Sequence, residues 1–219
     1  MAARLRHALL RRDIVATAAR MDALGINRGT SGNVSARTPE GLLITPTGVP
    51  CDALRAADVV AMRLDGTAEG PLLPSSEWRF HVAILKARPE IGAVVHAHPP
   101  FCTTLAVLHM PIPSFHYMVA KAGGADIRCA PYATFGTQAL SDHALAALEG
   151  RKACLLANHG MIAAGPDLRA ALDLAMEVEA LAEQYWRALQ VGRPKLLPAT
   201  EMRRVVAKFA TYGRQPGRG

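Results

Sequence analysis

Residues 91–100 read Ile91-Gly92-Ala93-Val94-Val95-His96-Ala97-His98-Pro99-Pro100. A short, apolar, β-branched run that meets two prolines predicts a buried strand over 91–98, because proline cannot continue a ladder. Side chains alternate across a strand, so His96 and His98 share one face while Val95 and Ala97 point the other way, toward packing. Upstream, Pro74-Ser75-Ser76-Glu77 reads as a helix start with serine as N-cap and Glu77 in the first turn. Its body runs through Trp78, His81, Val82 and Leu85 to about Lys86. Downstream, Ala153-Cys154-Leu155-Leu156 is a second buried strand that stops at Asn158-His159-Gly160. After Gly165-Pro166 a long helix is marked by Leu168, Ala171, Leu172, Ala175, Val178, Ala182, Tyr185 and Leu189. Toward the N-terminus, Leu10, Ile14, Ala18, Met21 and Leu24 keep helical spacing up to Gly25, which is suited to a left-handed cap. Residues 34–45 then read as a hairpin about Thr38-Pro39-Glu40-Gly41, followed by a turn at Thr45-Pro46-Thr47-Gly48. A short helix is expected before Tyr212-Gly213. Helices and strands alternate without a linker or repeat, so one α/β layered domain over residues 1–219 is expected.

The 219 residues are enough for a substantial core. No stretch approaches the ~18 continuous apolar residues of a membrane span. The basic, amphipathic start MAARLRHALLRR lacks the apolar core of a signal peptide, so a cytoplasmic address is expected. Cys51, Cys102, Cys129 and Cys154 form no CxxC pair and read as reduced, mostly buried thiols. The net charge of +7 fits either a solvated surface or attraction of a phosphorylated metabolite. The arginines are dispersed among acids, without the basic stripe of a nucleic-acid binder.

His96 and His98 on one strand face make half of a tetrahedral metal site, although an HxH pair also arises by ordinary alternation. His159 adds a third imidazole at the end of another apolar strand, beside a glycine that permits an unusual angle or a close approach. Three histidines with one position open are the ligand set of a catalytic zinc. Glu77 offers a fourth ligand, a nearby base, or simply a helix-N-terminal acid favoured by the macrodipole. His7 and His143 read as surface residues; His81 and His116 fit satisfied buried positions equally well. Asn27-Arg28-Gly29-Thr30-Ser31-Gly32-Asn33 is rich in donors and glycine, as in a loop that wraps an anion, and equally as in a turn before a hairpin. Thr47-Gly48 is another small polar turn, and Ser75 and Ser76 add hydroxyls where a helix N-terminus favours phosphate.

The segments NRGTSGNVS, LLITPTGVP, LPSSEWRFH, AVVHAHP, FHYMVAKAGG, CAPYATFGT, ANHGMIA and KFATYG, from about Leu10 to Tyr212, resemble in order the motifs of the class II aldolase/adducin-head family. The resemblance implies a three-layer α/β/α domain around a central, mostly antiparallel sheet, with a C-terminal tail mobile from about residue 200. It implies one Zn2+ per subunit, held by His96, His98 and His159 with Glu77 as the fourth ligand at rest. It further implies a phosphate pocket of Thr30, Asn33, Thr47, Gly48, Ser75 and Ser76, and an aldehyde pocket shaped by Phe135. Tyr117 would be the acid that protonates the aldehyde oxygen in synthesis, and Tyr212 would come from the tail. Family members are C4 homotetramers, so both tyrosines would serve a neighbour's metal. The implied activity is zinc-dependent cleavage of a ketose 1-phosphate into dihydroxyacetone phosphate and a short aldehyde. Candidate substrates are L-fuculose 1-phosphate and the related 5-deoxypentulose and 5-methylthioribulose 1-phosphates. Dehydratase, 4-epimerase and decarboxylase chemistries share the scaffold; the epimerases carry aspartate at the position of Glu77. Adducin-like binding modules lack the metal residues that this chain keeps. Ala97 and Asn158 depart from the fuculose-cleaving pattern, which has asparagine and histidine there, and this leaves the aldehyde side open.

Overall fold

The computed structural model describes residues 6–212. The first five residues of the basic N-terminal stretch, and Gly213 of the KFATYG segment with all that follows, lie outside them. Eight strands form one sheet: β1 Asn33–Thr38, β2 Gly41–Ile44, β3 Val60–Met62, β4 Ala68–Glu69, β5 Ala93–Ala97, β6 Cys129–Ala130, β7 Ala153–Leu156 and β8 Gly160–Gly165. Their order is β4-β3-β2-β1-β5-β8-β7-β6, and every neighbouring pair is antiparallel except β6 with β7. The helices are α1 Ala8–Ala23, α2 Trp78–Ala87, α3 Pro100–Val107, α4 Gln138–Ala147, α5 Leu168–Val191 and α6 Ala199–Phe209, with a 3-10 helix at Tyr117–Ala122.

Strand alternation divides the apolar residues into two cores. Val34, Ala36, Ala93, Val95, Ala97, Met161 and Ala163 pack with Ile14 and Met21 of α1, Leu105 of α3, and Ala171, Ala175 and Val178 of α5. Val94, Cys154, Ile162 and Ala164 pack on the opposite face with Phe80, Ile84 and Leu85 of α2 and Leu140 and Ala144 of α4. The expected α/β/α layering is therefore present, with α1, α3 and α5 on one side and α2 and α4 on the other. Each fully buried Leu, Ile or Phe side chain contributes roughly 1.5–3 kcal/mol by leaving water. No helix among the described residues is long and apolar enough to cross a membrane.

Several local expectations hold and several shift. Gly25 caps α1 with φ 72, and the hairpin of β1 and β2 turns at the Thr38–Gly41 segment. Strand β5 ends at Ala97, so His98 lies one step past the ladder. Helix α2 begins one residue later than expected: Glu77 is itself the N-cap and makes no capping bond with its side chain. The Glu77 amide instead donates to Ser75 Oγ at 3.3 Å. Gly160 does not end a strand; it opens β8, the strand that lies between β5 and β7. Helix α6 is anchored by the buried Met202 and packs on the 3-10 helix.

Candidate metal centre

The antiparallel register brings the candidate ligands together. His96 on β5 pairs with Asn33 at the start of β1 and with Ile162 on β8. His159 sits in the tight turn between β7 and β8, where Asn158 takes the left-handed conformation at φ 54. Asparagine tolerates that region because its short side chain can bond locally. Here Asn158 Oδ1 lies 2.6 Å from His109 Nε2, and the Asn158 amide donates to the Ala106 carbonyl at 3.1 Å. Of the two readings of Gly160, close approach is the one that holds, and the unusual angle falls on Asn158. A Cβ there would overlap the Ala97 carbonyl and stand 2.6 Å from the His98 ring. Gly160→Ala should therefore cost about 1–3 kcal/mol of stability and weaken metal retention together. Thermal unfolding with metal analysis checks this; a variant with unchanged values would show that the turn yields freely.

Past His98, Glu179 of α5 accepts from the first amides of α3, Phe101 N at 2.9 Å and Cys102 N at 2.8 Å. The chain is thereby pinned three residues beyond the ligand. The three imidazole rings of His96, His98 and His159 stand 4.8 Å apart in every pair, tilted by 64–77°. One ligand atom from each ring and one from Glu77 lie within 4.8 Å of one another. His96 Nε2 is 2.9 Å from His98 Nε2 and 3.0 Å from Glu77 Oε2; His159 Nε2 is 3.2 Å from Glu77 Oε1. His96 Nδ1 is 2.9 Å from the Met161 carbonyl, which fixes the proton on Nδ1 and turns the Nε2 lone pair inward.

The donor set fits a metal ion on its own chemistry. Glu77 is 5% exposed, and its Oε1 is a buried acceptor with no hydrogen-bond donor. A buried carboxylate oxygen without a donor is costly unless a cation meets it. Three imidazoles and one carboxylate in a closed cluster are a zinc-type ligand set. Burial pushes the Glu77 carboxyl up, and the cluster of His96 and His159 outweighs it and holds the group well below the ordinary carboxylate range. Burial, and then His96 and His159, push His98 down to about 3, which leaves its ring unprotonated and ready as a ligand at neutral pH.

The anion candidates gather at the same end of the sheet. Turn 45–48 is tied to the 73–76 segment by Thr47 N to Leu73 O at 3.2 Å and Ser75 N to Thr45 O at 2.9 Å. Gly32 lies against the His96 carbonyl, which puts loop 27–33 beside the histidines. Thr30, Thr47, Gly48 and Ser76 are exposed there, and Ser75 is buried. Asn33 is differently engaged: Nδ2 donates to Glu77 Oε2 at 3.0 Å and Oδ1 lies 2.5 Å from His81 Nε2. Phe135 is exposed on a loop fastened to the start of α2 through Arg79 and the Gly136 carbonyl at 2.6 Å. Tyr117 stacks on Phe209, and Phe209 meets Tyr212 edge-on at 5.7 Å. Among the described residues, no hydrogen bond or ring contact joins Tyr117 or Tyr212 to the Glu77 and histidine cluster.

Sequence reasoning left His81 open and passed over Ser35. Both belong to the site, with Ser35 Oγ 2.7 Å from His81 Nδ1. The signal was available: Asn33 and Ser35 alternate onto one face of β1, and Glu77 and His81 are four apart across the start of a helix.

Relatives carry the same frame. A 5-methylthioribulose-1-phosphate/5-deoxyribulose-1-phosphate aldolase of Rhodospirillum rubrum is 60% identical over 204 residues, which cover 93% of this chain and 92% of the relative. An L-fuculose phosphate aldolase of Escherichia coli is 50% identical over 205 residues, covering 93% and 95%. A solved L-fuculose 1-phosphate aldolase superposes with a TM-score of 0.89 at 38% identity, covering 92% of this chain and 96% of that one. The sequence pattern of the Class II Aldolase and Adducin N-terminal domain family matches residues 12–186. With most of the chain matched and four metal-type ligands converging at the ends of its central strands, the protein belongs to that family, on the side of its metal-dependent aldolases.

Proposed function

We propose that the protein is a zinc-dependent lyase that cleaves a 5-deoxy- or 5-methylthio-ketopentose 1-phosphate into dihydroxyacetone phosphate and a short aldehyde. The observation that carries this is the convergence of Glu77, His96, His98 and His159 around the unpartnered Glu77 Oε1. When bound there, zinc supplies a Lewis acid that polarises the substrate carbonyl. Thr30, Thr47, Gly48, Ser75 and Ser76 hold the phosphate beside the histidines, so the reacting carbons are delivered in one orientation. In cleavage the C4 hydroxyl gives up its proton, the C3–C4 electron pair stays with C3, and Glu77 returns a proton to C3. Tyr117, aided by Tyr212, handles the C4 oxygen proton and serves the site of a neighbouring subunit in a C4 tetramer. Their exposure and their mutual contact through Phe209, away from the chain's own ligands, support that assignment.

The higher identity to the Rhodospirillum rubrum relative supports the less polar substrates over fuculose 1-phosphate. A pocket suited to a methyl or methylthio group should favour 5-methylthioribulose 1-phosphate by roughly 10-fold or more in kcat/KM. Steady-state kinetics on the two substrates decides it, and a preference for fuculose 1-phosphate would reverse the assignment. Deleting the chain from Lys208 should lower kcat by about 10-fold or more, because it removes Phe209 and Tyr212 while leaving Met202 in place. Circular dichroism and melting should stay close to those of the full chain; full activity after deletion would take the tail out of the reaction.

A further inference from the structure

On the α2 face of the sheet, four side chains form a continuous buried line: Ser35 Oγ to His81 Nδ1 at 2.7 Å, His81 Nε2 to Asn33 Oδ1 at 2.5 Å, and Asn33 Nδ2 to Glu77 Oε2 at 3.0 Å. His81 is fully buried, Ser35 is fully buried, and Asn33 is 5% exposed. The direction of each bond is fixed by the inventory of donors. An ionised Glu77 only accepts, so the Asn33 amide must present its NH2 group to Oε2. Asn33 Oδ1 is then an acceptor, and His81 must donate to it from Nε2. A neutral imidazole with its proton on Nε2 accepts at Nδ1, so Ser35 donates its hydroxyl. Burial pushes His81 down to about 3, consistent with the neutral ring.

We propose that Ser35, His81 and Asn33 are positioning residues that form a one-way hydrogen-bond relay, locking the Glu77 carboxylate so that Oε2 is held by Asn33 and Oε1 is left without a protein donor, free to meet the metal and carry the proton. The inference rests on the proposed role of Glu77. It assigns Asn33 to the carboxylate, with its oxygen and one amide hydrogen committed to protein partners. Oε1 is correspondingly the oxygen without a donor. Without His81 the Asn33 amide can rotate and present its oxygen to Glu77, setting two acceptors face to face and driving the carboxylate off the metal.

The test compares His81→Phe, which keeps a ring beside Phe80 and removes the donor, with His81→Gln, whose amide nitrogen can still donate to Asn33 Oδ1. Zinc affinity is read by competition with a chromogenic chelator, and kcat and KM by dihydroxyacetone phosphate release. His81→Phe should bind zinc about 10-fold or more weakly and lose a similar factor in kcat, with KM within about twofold. His81→Gln should recover most of both. Unchanged affinity and kcat in His81→Phe, or equal losses in the two variants, would overturn the relay, since equal losses follow from packing alone. If His81→Phe does not fold, Ser35→Ala takes its place: a several-fold loss in kcat at constant KM supports the relay, and wild-type kcat overturns it. If the wild-type chain binds zinc but cleaves no ketose phosphate, the functional reading fails, and the zinc affinities still decide the relay.

Discussion

Glu77→Gln is expected to lower kcat by about 10²–10⁴-fold while the metal stays bound, because the change removes a proton carrier and leaves three histidines. The substitution is close to isosteric, so the start of α2 and the turn that holds Ser75 should not move. The glutamine oxygen can still accept from Asn33 Nδ2, which places the glutamine NH2 where Oε1 now stands. That group can neither take a proton from the substrate carbon nor return one. Metal analysis of the purified variant beside a dihydroxyacetone phosphate assay separates the two effects. A variant with bound metal and near-normal turnover would remove Glu77 from the chemistry and return it to its plainer reading as an acid at a helix start.

His98→Ala is expected to act at the earlier step, by releasing the ion. His98 lies one residue past the end of β5 and is partly exposed, so its loss should leave both cores and the β5 ladder intact. The ring is kept unprotonated by burial and by its two neighbouring imidazoles, which makes it a ligand throughout the neutral range. Loss of even a hydrogen-bond partner of a ligand commonly costs 10–100-fold in metal affinity, so loss of the ligand itself should exceed about 100-fold. Zinc content should then fall far below one per subunit and activity with it, while circular dichroism remains that of the folded chain. Full occupancy in the folded variant would take His98 out of the ligand set.

The layering, the paired histidines at the end of β5 and the third histidine were legible in the sequence because each follows from a local period or a breaker. Alternation placed His96 and His98 on one face, and Pro99-Pro100 marked where the strand must stop. What the local signals missed has a physical cause. Strand β8 reads Gly160-Met161-Ile162-Ala163-Ala164-Gly165, a continuous apolar run buried on both faces, so it shows no alternation to mark it. Strands β4 and β6 are two residues each and are defined by their partners. The role of Asn33 illustrates the limit most directly. Its place in a donor-rich loop pointed to phosphate, whereas the register with His96 carries its side chain under Glu77 and into contact with His81. Long-range pairing decides that placement, and the local alternation shows only that Asn33 and Ser35 share a face. The resemblance to the family supplied the order of the motifs; the geometry of the carboxylate came from the folded chain.

The most direct test of the central claim is release of dihydroxyacetone phosphate from 5-methylthioribulose, 5-deoxyribulose, ribulose, rhamnulose and fuculose 1-phosphates, each run with and without a chelator. A zinc-dependent aldolase predicts release from the 5-deoxy and 5-methylthio substrates that stops with chelator and returns when zinc is restored. Zinc-loaded protein that releases no dihydroxyacetone phosphate from any of the five, or release that persists at full rate in chelator, would contradict it.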